Sequence, residues 1–439
     1  MKIVHLGNVA NIAYLTVKAL RERGLKADIF VPMAGLPAVS YPEWEEGDFD
    51  PAQIQFATPD WTRVRMRNGW QRPSWVKTMP TSTWHQLPFS DEDQFISHME
   101  ACLNTRLSWH RHQVVNDSLG RRGLSEINFI MSSCLFDIYR HEKVVSDYDI
   151  VVAYGADPID CLVDFPRKPY IAVDYGSPLR TMIFGDSGPF DPRLLRAGYE
   201  WADKVVLTNP DTQPIAEELG LRYVFIPHPV DESKFRPGKS SVRDEIERLL
   251  GKDVLILFCP ARQDWHIKGS DVMIRGVAKL LRNHKAPIKL ILTAWGNDLE
   301  RSRDLVCRER INDKVFWQPM LTKPQLAEWC KAADVILDQF AIGTFGLATA
   351  EAMACGKPVI LNFKPKVHHW CFPELPPLIS AEDEDEVFRE VSALVEDAVR
   401  RKQLGQQSRD WFMRYHSMDV VAREHLRLYN EILSHRTNR

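Results

Sequence analysis

Lys2-Ile-Val-His-Leu6, Gly7-Asn-Val-Ala-Asn11, Ile12 to Arg23 and Asp28-Ile-Phe-Val31 open the chain in an order that decides its fold class. The first run is short and apolar, the second has turn character, the third spaces its apolar residues for a helix, and the fourth is apolar again. This order predicts a βαβ unit, the opening of a doubly wound parallel sheet. Apolar runs at Asp149 to Tyr154, Tyr170 to Val173, Val205 to Thr208 and Tyr223 to Ile226 extend it. A proline-punctuated stretch from Pro227 to Pro237 then reads as a linker. Beyond it a second series begins, with Val254 to Cys259, Ile288 to Thr293, Lys314 to Trp317, Val335 to Leu337 and Pro358 to Leu361 separated by helical windows. Two α/β domains facing across a cleft are expected, and the cleft is the default ligand site.

Size agrees with this division, because 439 residues exceed what one hydrophobic core usually organises. The hydrophobic fraction of 44% and charged fraction of 26% are those of a globular protein, and a formal net charge of −3 gives no nucleic-acid signal. The eight cysteines have no paired spacing, which argues against a disulfide scaffold or a zinc cluster. The N-terminus reads as a buried first strand, not as a signal peptide, and no long uncharged apolar span follows. A cytoplasmic protein is expected, with peripheral contact at the inner face of a membrane left open.

Residues 343 to 358, Gly-Thr-Phe-Gly-Leu-Ala-Thr-Ala-Glu-Ala-Met-Ala-Cys-Gly-Lys-Pro, hold the strongest functional signal. A glycine-bearing loop opens into a small-residue helix whose free N–H groups and partial positive charge suit a diphosphate. Glu351 is the acid on that apolar helix and needs a polar partner, a need that sugar hydroxyls would meet. The plain alternative is an ordinary strand–loop–helix joint with Glu351 exposed. Cys259-Pro-Ala-Arg262 leads through Trp265-His-Ile to Lys268-Gly269, so two cations stand six residues apart on a loop after a strand. They could pinch a diphosphate, or merely solvate the loop. The Gly7 to Asn11 turn lacks the full dinucleotide fingerprint and no Walker motif occurs, so neither NAD binding nor ATP hydrolysis is supported.

Two further stretches stand out. From about 40 to 130 the chain leaves the α/β rhythm and carries Trp44, Trp61, Trp70, Trp75, Trp84 and Trp109 among arginines and prolines. A carbohydrate-stacking or interfacial surface is one reading, and aromatic packing of an inserted subdomain is the other. The acidic run Glu382 to Glu386 is simply explained as the first turn of a helix. Trp411 to Ile432 has apolar groups on a helical period and predicts one long terminal helix packing back across the domains.

Taken together the chain resembles a GT-B glycosyltransferase of the large retaining, nucleotide-sugar-dependent family called family 4 or group 1. The resemblance rests on Arg262 and Lys268-Gly269, on Trp317 to Met320 with Leu326 and Ala332-Ala-Asp-Val335, and above all on Phe345 to Val359. It implies two facing Rossmann-like domains with a C-terminal crossover helix. The implied divisions are an acceptor-side domain at 1–232 with the Trp-rich insertion, a donor domain at 233–409, and the terminal helix at 410–439. It implies transfer from a UDP-, GDP- or ADP-linked sugar to a sugar, glycan or glycolipid hydroxyl, with retention, no essential metal and no cofactor. Arg262 and Lys268 would hold the diphosphate, Glu351 the ribose, and backbone at Pro319 and Met320 the base. Gly7, Asn8, Asp338, Gly343, Thr344, Phe345 and Gly346 complete the expected donor-side set.

Two departures bear on activity. The family has paired acids eight positions apart, and the earlier position is Gly343 here. The acceptor-side histidine also lacks a counterpart in Ala172 to Arg180, where Asp174 is either a polar group near the reacting sugar or the cap of a turn. His228, between two prolines, reads more simply as a hinge contact than as a proton carrier, and Asp338-Gln339 could make the sugar contacts of the missing acid. A nucleotide-sugar epimerase of the same architecture and an inactive nucleotide-sugar-binding scaffold remain the alternatives.

Overall fold

The structure is a computed structural model describing residues 1–32, 36–79, 145–158, 161, 168–184, 192–284 and 286–437. Strands β1 (Lys2–Leu6), β2 (Lys26–Pro32), β3 (Val76–Met79), β4 (Ile150–Tyr154), β5 (Tyr170–Asp174), β6 (Lys204–Leu207) and β7 (Tyr223–Phe225) form one parallel sheet in the order β3-β2-β1-β4-β5-β6-β7. A second parallel sheet comprises β8 (Leu255–Cys259), β9 (Ile288–Thr293), β10 (Val315–Gln318), β11 (Val335–Leu337), β12 (Val359–Leu361) and β13 (Ile379–Ser380), in the order β10-β9-β8-β11-β12-β13. These are the two Rossmann-like domains of the GT-B fold.

The strands read as unbroken apolar runs because both faces of each sheet are covered. Ile3 and Val4 enter different cores on opposite sides of the first sheet, and Leu257 and Phe258 do the same in the second. Each sheet reverses its winding beside its first strand, so β1 lies between β2 and β4, and β8 between β9 and β11. Ligands of open α/β sheets bind outside the carboxyl ends of the strands at that switch point. The loops after β8 and β11, which carry Arg262, Lys268 and Gly343, therefore emerge at the switch point of the second sheet.

The terminal segment corrects one expectation. Two helices, Ala398–Tyr415 and Met418–Thr437, stand where a single long one was expected. The break falls where the chain returns to the first domain: the His416 Nδ1 and the His228 carbonyl oxygen are 3.0 Å apart, and Ser417 pairs as a bridge with Val230. Beyond it, Val421, Ala422, Leu428, Tyr429 and Ile432 join the core that holds Ile12 to Leu20. The linker is tied in place as well. Lys18 bonds Asp231 at 2.7 Å, and Lys234 bonds Glu45 at 2.7 Å. Burial opposes the charge on Asp231, yet the Lys18 ammonium and the Ser233 hydroxyl hold its carboxyl down at about 2.

The Trp-rich stretch is largely packing where it is described. Trp44 is buried with Ala38 and Phe49, Trp61 packs on the same cluster, and Trp75 stacks on Tyr14 at 5.2 Å. Trp84 and Trp109 lie outside the described residues. The acidic run does start a helix, Glu384–Glu396, with the Asp383 carboxylate accepting from the amides of Asp385 and Glu386.

Candidate active site

The phosphate-clamp loop is built by a close approach between two strand ends. Gly269 has φ +61, and a Cβ there would sit 2.9 Å from the amide nitrogen of Ala341, so only glycine lets the loop after β8 lie against the loop after β11. The Phe340 amide donates to the Lys268 carbonyl at 2.7 Å and fastens the two. Arg262 and Lys268 share this loop, both half-buried, and the Lys268 amide donates to the carbonyl of Asp264, the residue whose carboxylate holds Arg262, at 3.0 Å. The Asp264 carboxylate accepts from the Arg262 guanidinium at 2.9 Å, and the Gln339 side-chain carbonyl accepts from the Lys268 ammonium at 2.7 Å. Each cation is thus oriented by a neighbour. His266 is exposed on the same loop.

The loop after β11 is a network of its own. Gln339 donates its amide to the Thr344 carbonyl, the Thr344 hydroxyl lies 3.2 Å from His368 Nε2, and the Thr349 hydroxyl donates to Asp338 at 2.6 Å. The second Asp338 oxygen is buried without a partner. The Thr344 amide is already used by the Ile342 carbonyl at 2.8 Å, so it is no free phosphate donor. Phe345 packs its ring among Phe363, His368, Phe372 and Trp411 and offers only backbone. Gly346 caps helix Leu347–Ala354 with extended backbone.

Glu351 is neither exposed nor free. It is 3% exposed and paired with Lys323, the first residue of helix Lys323–Ala332 just beyond β10. Burial pushes the carboxyl up against the pull of Lys323. The ammonium, drawn down by the same burial, ends above its ordinary range because Glu351 outweighs it. The second Glu351 oxygen is buried and has no partner, which leaves one acceptor for a hydroxyl. The sequence pattern marked Glu351 but not Lys323, which lies 28 positions away and arrives by topology alone.

The first domain closes over this end of the sheet. Met320 packs on the cluster of Trp44 and Phe49, Phe56 lies 5.5 Å from Trp295, and Gln325 donates to the Phe49 carbonyl at 2.8 Å. Pro319 is exposed beside it.

Three expected site residues, Asn8, Gly7 and Asp174, are engaged within the fold. Asn8 is fully buried, with its side-chain amide nitrogen donating to Asn11 and to the Ser40 carbonyl while its side-chain oxygen accepts from the Tyr14 amide, so its side chain is committed to the fold. Gly7, at φ +81, has no room for a Cβ beside Asp157. Asp174 takes the turn-capping arrangement: its two oxygens accept from the amides of Gly176 at 3.0 Å and Leu179 at 3.2 Å. Burial raises its carboxyl to about 6 against those bonds.

Comparison with known proteins bears on the family of the second domain and on the fold. Residues 243–411 match the family model described as glycosyl transferases group 1. A D-inositol 3-phosphate glycosyltransferase of Pseudarthrobacter chlorophenolicus is 39% identical over 163 residues, which is 35% of this chain and 37% of that protein. One from Catenulispora acidiphila is 31% identical over 176 residues, covering 36% and 40%. The matches thus span well under half the length of these curated relatives. Among solved structures, sucrose-phosphate synthase from Thermosynechococcus elongatus aligns with a TM-score of 0.62 at 15% identity over 99% of this chain and all of that one. Anabaena HepE in complex with UDP and glucose aligns at 0.64 and 12% identity over 98% and 99%. At these identities the structural likeness concerns the fold. The described residues have the GT-B fold, and residues 243–411 are related to the group 1 glycosyl transferases.

Proposed function

We propose that this protein is a retaining glycosyltransferase that moves a sugar from a nucleoside diphosphate donor to a hydroxyl acceptor. The observation that carries the reading is the convergence of Arg262 and Lys268 with the Gly343–Gly346 loop and a helix start at the switch point of the second sheet. Departure of a nucleoside diphosphate builds negative charge on the leaving oxygens while positive character grows on the sugar. Oriented cations in a closed cleft stabilise that change most where the charge develops. Arg262 offers a fork held in place by Asp264, and Lys268 a point charge held by Gln339. The free oxygen of Glu351 takes a ribose hydroxyl, and Pro319 and Met320 meet the base. The leaving phosphate itself takes the acceptor proton, so no separate general base is required. The expected acceptor is a sugar, glycan or glycolipid hydroxyl. No described helix is long and apolar enough to cross a membrane.

The test has two stages. Calorimetric titration with UDP, GDP and ADP finds the nucleotide, and NMR of the product formed from the matching sugar donors reads the anomeric configuration. Arg262→Ala and Lys268→Ala should each lower kcat/KM by about ten- to a hundredfold, the worth of one charged hydrogen bond, with unchanged unfolding midpoints. Inversion at the anomeric carbon would refute retention. Sugar rearrangement with donor alone would indicate an epimerase, and tight nucleotide binding without turnover on any donor would indicate a scaffold.

A further inference from the structure

Three cations, Arg262, Lys268 and Lys364, surround the loop after β11, and a donor diphosphate accounts for only two of them. Lys364 follows β12, and its backbone is fixed at several points. Its amide donates to the Gly343 carbonyl at 3.0 Å, and its own carbonyl accepts from the Val367 amide at 3.0 Å and lies 3.1 Å from His368 Nδ1. Its stem lies across Gly343, where a Cβ would come within 2.4 Å of Lys364 Cδ and 2.5 Å of Cγ. A side chain at position 343 would have to displace the lysine stem from this place. Gln339 ties Lys268 to this loop, and the Gly343 carbonyl, together with Thr344 acting through His368, ties the Lys364 backbone to it from the other side. Arg262 is already paired with Asp264, whereas Lys364 is exposed and has no acidic partner among the described residues.

Strand order gives the direction in which a donor lies. Pro319 and Met320 follow β10, Arg262 and Lys268 follow β8, the Gly343 loop follows β11, and Lys364 follows β12, the next strand over. With the nucleoside toward β10 and the diphosphate at β8 and β11, the transferred sugar projects toward β12. From β8 to β12 is two strand spacings, roughly 10 Å, which suits the distance from a clamped phosphate to the far side of a hexose.

Resting on the proposed nucleotide-sugar reading, we propose that Lys364 determines donor specificity by receiving an anionic group on the transferred sugar, so that the donor class is a nucleoside diphosphate uronate. A neutral hexose would give the ammonium only hydroxyl acceptors, while a carboxylate gives a charge-assisted hydrogen bond of roughly twice the strength.

Lys364→Met tests this, because it keeps a stem over Gly343 and removes the charge. The full chain and the variant are titrated with the nucleoside diphosphate that the parent binds best, with its glucose conjugate and with its glucuronate conjugate. The parent should bind the glucuronate about ten- to a hundredfold more tightly than the glucose conjugate. The variant should lose that preference yet bind the bare diphosphate as the parent does, and Lys364→Arg should restore most of the preference. An equal loss for all three ligands would make Lys364 a diphosphate contact and overturn the proposal. A parent that binds the diphosphate but does not distinguish the two sugars would overturn it alone, including where turnover depends instead on an anionic acceptor. A parent that binds no nucleoside diphosphate would overturn it together with the reading on which it rests.

Discussion

Replacing Glu351 and Lys323, first singly and then together, separates the structural part of this pair from its part in binding. The Glu351 side chain is 4% exposed and that of Lys323 15%. Glu351→Gln leaves a buried ammonium without its countercharge, a change that costs roughly 3–5 kcal/mol in comparable settings. Lys323 retains some solvent access, so the lower end, about 3 kcal/mol, is expected. The double variant Lys323→Met with Glu351→Gln buries no unpaired charge and should return to within about 1 kcal/mol of the parent. Nucleotide binding should behave differently. Both proteins lack the free Glu351 carboxylate oxygen, so both should bind the nucleoside diphosphate about ten- to a hundredfold more weakly. Urea unfolding followed by tryptophan fluorescence gives the first quantity, and calorimetric titration gives the second. A double variant as unstable as Glu351→Gln would refute the buried-pair argument. A double variant with parental affinity would refute the ribose contact.

The remaining predictions concern pH and domain closure. Burial lowers His228 to about 4, and both His416, which also faces His228, and His425 to about 3, from an ordinary 6.5. The unfolded chain therefore binds more protons between those values, and stability should be full above pH 6.5 and fall as the pH drops toward 4. Unfolding midpoints across that range, compared with those of His425→Phe, should show a shallower slope in the variant, and an identical slope would exclude His425 from the effect. Phe56→Ala should loosen the closure that Phe56 and Trp295 make over the base side of the cleft. An aromatic pair is worth about 0.5–1.5 kcal/mol, so nucleotide association measured by stopped flow should accelerate by about two- to tenfold. A slower or unchanged rate would show that nucleotide enters without lifting this segment.

The paired domains were legible in the chain because a parallel sheet covered on both faces writes each strand as a plain apolar run. Each of those runs, in both halves, became a strand of the expected sheet. The strands that escaped notice were β3, which sits inside the Trp-rich stretch, and β13, which is two residues long; neither carries a run long enough to be seen. The break at His416 and Ser417 was also hidden, since helical periodicity continues through it and only contacts with His228 and Val230 interrupt the helix.

For the candidate site, sequence named the chemistry of single positions, and tertiary structure decided how they are used. Arg262, Lys268 and the Gly343 loop follow from strand ends and glycines, which are local signals. What each side chain has left to offer is not local. Asn8 spends its amide on Asn11, Ser40 and Tyr14, and Asp174 spends its carboxylate on Gly176 and Leu179. Glu351 and Lys323, and likewise Gly343 and Lys364, become neighbours only when parallel strands bring separate βα loops to one edge of the sheet. Side-chain periodicity reports which face of an element is buried. It carries no information about which charged group from another loop will be buried beside it, and burial with or without that partner determines whether a polar residue supports the fold or remains free for a ligand.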